Sequence, residues 1–147
     1  MGWEQCRKEF IRSVGVDTEK NISILRMCAV RGKVVNSIVL DSETASIIAE
    51  DYYEIIKELL TALLLLEGLK SDNHECLIAF FKQQYPQKEY EWGIIFELKK
   101  IRNKVSYEGF FVPENYIKRN KLEFLQIIDF LELEIKERLK NVRNKNG

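Results

Sequence analysis

The sequence predicts an all-α fold, a single up-and-down-type bundle of five to six helices. Three observations lead there. Apolar residues recur three and four apart along most of the chain. Capping residues and glycines punctuate those periodic runs. No stretch alternates apolar and polar residues for a useful length, and no internal repeat or linker interrupts the pattern. Residues 1–147 are therefore expected to form one domain.

A chain of 147 residues can bury a core, and 46% hydrophobic with 31% charged residues is a folded composition. Lys plus Arg and Asp plus Glu are each 23, so the formal net charge is zero. That excludes a whole-molecule basic field, and any nucleic-acid binding has to use a local patch. Low net charge also favours self-association.

The start, MGWEQCRKEF, is neither a signal peptide nor a lipidation motif. The most apolar run, residues 55–69, is broken by Lys57, Glu58 and Glu67, and no membrane span is expected. Cys6, Cys28 and Cys76 are odd in number and widely spaced. They are expected to be three reduced, mostly buried thiols in a cytoplasmic protein. With one histidine in the chain, neither a metal nor a cofactor is expected.

Trp3, Cys6, Phe10 and Val14 mark a short first helix ended by Gly15. Asp17 caps a second, whose predicted inner face is Ile22, Leu25, Ala29, Gly32, Val35 and Val39. A close helix crossing is the expected reason for Gly32. Asp41, Ser42 and Glu43 restart the chain into a long third helix over 43–66. Its stripe of Ala45, Ile48, Tyr52, Ile55, Leu59, Ala62 and Leu66 is widened by Ile56, Leu60, Leu63 and Leu64. Such a helix is central to a bundle or buried in an interface.

Gly68 is the predicted C-cap of that helix. Asp72 and Glu75 have capping-box spacing for a fourth helix carrying Leu77, Ile78, Phe80 and Phe81, which ends at Tyr85-Pro86. His74, in its first turn, is expected to be structural. The fifth helix, 89–106, buries Trp92, Ile95, Phe96, Leu98, Ile101 and Val105, and Gly109 stops it. Phe110 and Phe111 are expected to pack the following loop onto the bundle, and Pro113 to open the next helix. The sixth, 114–139, carries Phe124, Ile128, Leu131, Ile135 and Leu139, and the polar tail 141–147 is expected to fray.

The piece Arg102-Asn103-Lys104-Val105-Ser106-Tyr107 resembles the Arg-x4-His signature of HEPN domains, with Tyr107 where that family has histidine. Tyr52-Tyr53 with KELLTALLLLEGL, then Ser71-Asp72-Asn73-His74, Leu77-Ile78 and Phe80-Phe81, follow in the family's order, so the likeness covers residues 41–139. It implies an all-α, HEPN-like core. Many HEPN domains are homodimers that face their motifs across a shared cleft. Active members are metal-independent ribonucleases, often toxins. Others are binding domains, and many pair with a nucleotidyltransferase-fold partner.

Cleaving RNA without a metal takes proton transfer and stabilisation of an anionic phosphate. Arg102 suits the second task, because a guanidinium grips phosphate as a bidentate fork, and Asn103 can orient it. Lys99 and Lys104 are the further candidates for phosphate or RNA contact, weighed against a merely solvated helix face. Tyr107, with a hydroxyl pKa near ~10, donates a hydrogen bond but is a poor base at neutral pH. Five residues apart on a regular helix, Arg102 and Tyr107 point about 140° away from each other, so they converge only where the helix ends or bends. The leading expectation is a catalytically degenerate module that binds a nucleotide, RNA or partner protein within a toxin–antitoxin-like pair. The alternatives are an active ribonuclease using Arg102, Asn103 and Tyr107, and a helical interaction protein with no nucleic-acid ligand.

Overall fold

Six helices and one short antiparallel ladder make up the computed structural model, which describes the backbone of residues 1–146 and the side chains of residues 1–142. In chain order they are α1 (Trp3–Glu9), β1 (Arg12–Ser13), α2 (Thr18–Ser37), α3 (Ala45–Leu66), β2 (Leu69–Lys70), α4 (His74–Gln84), α5 (Glu89–Glu108) and α6 (Glu114–Asn146). The all-α bundle predicted from periodicity is observed. No helix among the described residues is long and apolar enough to cross a membrane.

Helix α3 is the axis. Leucine, isoleucine and alanine surround it, so it must be covered on nearly every side. Helices α2, α4, α5 and α6 and strand β2 all pack against it. Ile55, Ile56, Leu59, Leu60, Ala62, Leu63 and Leu64 are essentially inaccessible, and Ile47 is its one exposed residue. The bundle thus consumes the apolar surface that suggested a dimer through this helix. Exposed apolar side chains lie instead on α2, at Met27, Val30 and Val34.

Several boundaries differ from expectation for local reasons. Helix α3 starts at Ala45, because the Asp41 carboxylate accepts from the amides of Glu43 and Thr44 and holds those residues in a turn. Asn73, not Asp72, caps α4 by accepting from the Cys76 amide at 3.3 Å. Asp72 turns outward to Arg12. Helix α2 ends at Ser37 and buries Asn21, Cys28 and Val35, leaving Ala29 and Val39 exposed. Gly32 faces open space, so no close crossing explains it. Helix α6 runs past Leu139 to Asn146, and most side chains of the tail expected to fray lie outside the described residues.

Two glycines do require a positive φ. Gly109 caps α5 at φ 65°. Gly68 follows α3 at φ 73°, and its carbonyl accepts from the Val14 amide at 2.8 Å, continuing the ladder that pairs Arg12 with Lys70 and Ser13 with Leu69. No strand is expected from the sequence there, since two-residue strands carry no periodicity.

The cysteine expectation is overturned. Cys6 and Cys76 form a disulfide across 70 residues, their Cα atoms 5.6 Å apart, because α1 folds back over the first turn of α4. Cys28 alone is free, and burial first, then Glu58 and Glu132, pushes its thiol up to about 12. The inference of a cytoplasmic protein rested partly on reduced thiols and loses that support.

The segment after α5 is fixed by Val112 rather than by the phenylalanines. Val112 is buried while Phe111 is 68% exposed. The Val112 amide donates to Ser46 Oγ at 2.8 Å, and that hydroxyl donates to the Phe110 carbonyl at 3.3 Å. Ser46→Ala leaves a buried amide without a partner. It should lower stability by about 1–3 kcal/mol in urea unfolding, with little change in the slope.

Candidate functional site: a cationic cluster on Tyr53

Polar side chains of α3 include a group at Tyr53, Glu54, Lys57 and Glu58. These residues sit three and four apart and so share a face. Tyr53 is 2% exposed, and its ring is the floor of the cluster. The His74 ring packs on it at 5.9 Å, and the Arg102 guanidinium lies over it at 5.6 Å. Tyr53 Oη and His74 Nδ1 are 3.1 Å apart. Three elements meet here. Tyr53 comes from the middle of α3, His74 from the first residue of α4, and Arg102 from the last turns of α5.

The cap of α4 explains why His74 is held in place. The Asn73 amide donates to Ser71 Oγ at 3.1 Å, and Asn73 Oδ1 accepts from Cys76, so the turn is fixed on both sides of the histidine. Lys99 and Asn103 stand one turn and one residue from Arg102 on α5. Lys99 reaches Glu75 at 3.2 Å and is largely buried. Lys57 bridges Glu54 at 2.8 Å and Glu58 at 3.5 Å.

Arg102 is different. Half-buried, it has no carboxylate within salt-bridge distance among the described residues, and its one hydrogen bond there is donated from Nη1 to Asn103 Oδ1 at 3.3 Å. Asn103 Oδ1 is the acceptor of that bond.

Electrostatics follow from this packing. Burial, then Lys57 and Arg102, lower the His74 pKa below its usual value, with Lys99 adding to them and Glu54 opposing. Burial pushes the Tyr53 hydroxyl up to about 12, although Arg102 pulls the other way. Tyr53 is thus a hydrogen-bonding phenol and not a base. Where the hydroxyl donates to Nδ1, the histidine proton is on Nε2. Where Nδ1–H donates to the hydroxyl oxygen, Nε2 is an acceptor.

The remaining sequence candidates divide. Tyr107 is 79% exposed on a helix that continues to Glu108, so the α5 backbone directs it about 140° away from Arg102. Lys104 is exposed, with its ammonium 5.6 Å over the Phe110 ring and on another face from Arg102. Lys99 and Asn103 do join Arg102. Sequence reasoning missed Tyr53 and Lys57 and took His74 as structural only. The available signal was Lys57, the one cation of α3, four residues after Tyr53.

The histidine shift has a stability consequence. Its folded pKa lies below its unfolded value near ~6.5, so the unfolded chain takes up the proton first as pH falls. This contribution is fully present above pH ~6.5 and is lost as pH drops through the folded pKa. In His74→Gln, the decline of unfolding free energy just below pH 6.5 should become shallower than in the parent, as read by urea melts across pH.

Against known proteins, no family model, no curated protein and no solved structure matches this chain.

Proposed function

We propose that the chain is a helical module that binds the phosphate of RNA or of a nucleotide through Arg102, with Asn103, His74, Lys57 and Lys99 around it. The observation that carries this reading is a half-buried guanidinium with no carboxylate partner among the described residues, seated on an aromatic floor among other cations. A cation in that setting gains from an anionic ligand, and a guanidinium gains most from a bidentate oxyanion. Lys57 and Lys99 already have carboxylate partners and serve chiefly to raise the local potential.

An arriving phosphate favours the charged imidazole, so binding should take up a proton at His74 and tighten as pH falls. The likeness to HEPN domains supports the same ligand class. It also supports the wider reading of a homodimer working with a nucleotidyltransferase-fold partner in a toxin–antitoxin-like pair. Binding, rather than cleavage, is the first reading because Tyr107 stands where that family has its histidine and points away from Arg102.

One observation favours a second reading, metal-independent RNA cleavage. His74 shares the Tyr53 ring with Arg102 and supplies a titrating group close to the guanidinium, which Tyr107 does not. A placed acid–base group is worth ~10²–10⁴-fold in rate.

Both readings are tested on single-stranded RNA in the presence of a chelator. Fluorescence anisotropy should show binding that Arg102→Ala weakens about 10–100-fold, the range of a charge-assisted hydrogen bond. Tyr107→Phe should bind like the parent. If the RNA is also cut, and His74→Ala and Arg102→Ala stop the cutting while Tyr107→Phe does not, the second reading replaces the first. Equal affinity of parent and Arg102→Ala for both RNA and free nucleotide would leave the helical interaction protein as the reading.

A further inference from the structure

The N-terminal arm, residues 1–11, is held to the bundle at two places. At its far end the Arg12–Lys70 and Ser13–Leu69 pairs and the bond from the Val14 amide to Gly68 form a short ladder. Nearer the start, the Cys6–Cys76 bridge ties α1 to α4. Besides these, Trp3 and Ile11 pack on the bundle. Helix α1 has seven residues, of which only Cys6 is buried, and Trp3 packs on Phe80 at 5.4 Å. A helix this short does not hold its own shape without tertiary support.

The arm also walls a cavity of about 810 Å³ between α4 and α5. Met1, Gly2 and Trp3 form one side. The other carries Ile78, Trp92 and Phe96, the two rings stacked at 5.2 Å with the Lys82 ammonium 4.5 Å over Trp92. The Glu75–Lys99 pair closes the end towards His74. Cys76 is two residues from His74 and gives its amide to the Asn73 cap. One bridge therefore fixes both the cavity's outer wall and the turn that carries the histidine.

We propose that Cys6–Cys76 is a thiol–disulfide exchange site that latches the N-terminal arm and controls access to the cavity lined by Trp92 and Phe96. The reaction partner is a dithiol reductant. Its thiolate attacks one sulfur, the other leaves as thiolate and takes a proton, and the reductant's second thiol resolves the mixed disulfide. Two electrons and two protons pass to the cysteines, and the reductant closes as a disulfide. Both cysteines are inaccessible, so attack needs α1 to lift first. The ladder at residues 12–14 then limits the release to residues 1–11. The proposal does not depend on what the Arg102 cluster binds.

The test compares the full-length oxidised protein with the same protein treated with dithiothreitol, using amide hydrogen exchange and acrylamide quenching of tryptophan. Reduction should add two hydrogens to the mass and speed exchange across α1 about tenfold or more. It should also raise exchange in the first turn of α4, leave α3 amides unchanged and increase quenching at least twofold. Cys6→Ser should behave as the reduced protein. Three results would each overturn the proposal: no bridge to reduce, α1 exchange and quenching that do not respond to reduction, or loosening of α3 together with α1. The last would make the bridge a staple of the whole fold.

Discussion

Helix α3 must be enclosed, and the rest of the molecule is arranged around that need. A helix of 22 residues with apolar side chains on almost every side cannot remain in water, and four other helices surround it. Its polar residues are left at the edges of that cover. Tyr53, Glu54, Lys57 and Glu58 occupy such a place, between the start of α4 and the last turns of α5. The site is a by-product of how the core is covered: Tyr53 belongs to the core by burial and to the cluster by its ring face and hydroxyl.

Within that cluster the charges are not equivalent. Lys57 and Lys99 are each largely buried and each satisfied by a glutamate. Removing one partner of such a pair exposes the cost of an uncompensated charge, so they are constrained to stay as they are. Arg102 has instead an aromatic surface and an amide oxygen. Those stabilise a guanidinium without neutralising it. At His74, burial first, then Lys57 and Arg102, lower the pKa below its usual value.

Much of the fold was legible, because long helices advertise a face. Phe124, Ile128, Leu131, Ile135 and Leu139 are all buried on α6 as their spacing predicts, and Ile95 and Leu98 likewise on α5. What was not legible depends on distant pairs. The Cys6–Cys76 bridge spans 70 residues, and nothing in the local sequence couples the two. The β1–β2 ladder is too short to show a period. In the site, Arg102 and Asn103 were found through a motif, whereas His74 could be joined to them only when α4 and α5 were seen against Tyr53. Tyr107 was selected by sequence position, and the continuation of α5 to Glu108 carries it elsewhere.

The chain contains one histidine, so its imidazole signals in a proton–carbon correlation spectrum belong to His74 without ambiguity. Following them through a pH titration, with and without inorganic pyrophosphate, measures the central claim at the site itself. The account predicts a pKa below ~6.5 in the free protein. It predicts a rise when pyrophosphate is added, and loss of that rise in Arg102→Ala. A free-protein pKa at or above ~6.5, or one that pyrophosphate leaves unchanged in the parent, would contradict the claim that Tyr53, His74 and Arg102 form an electropositive site for an anion.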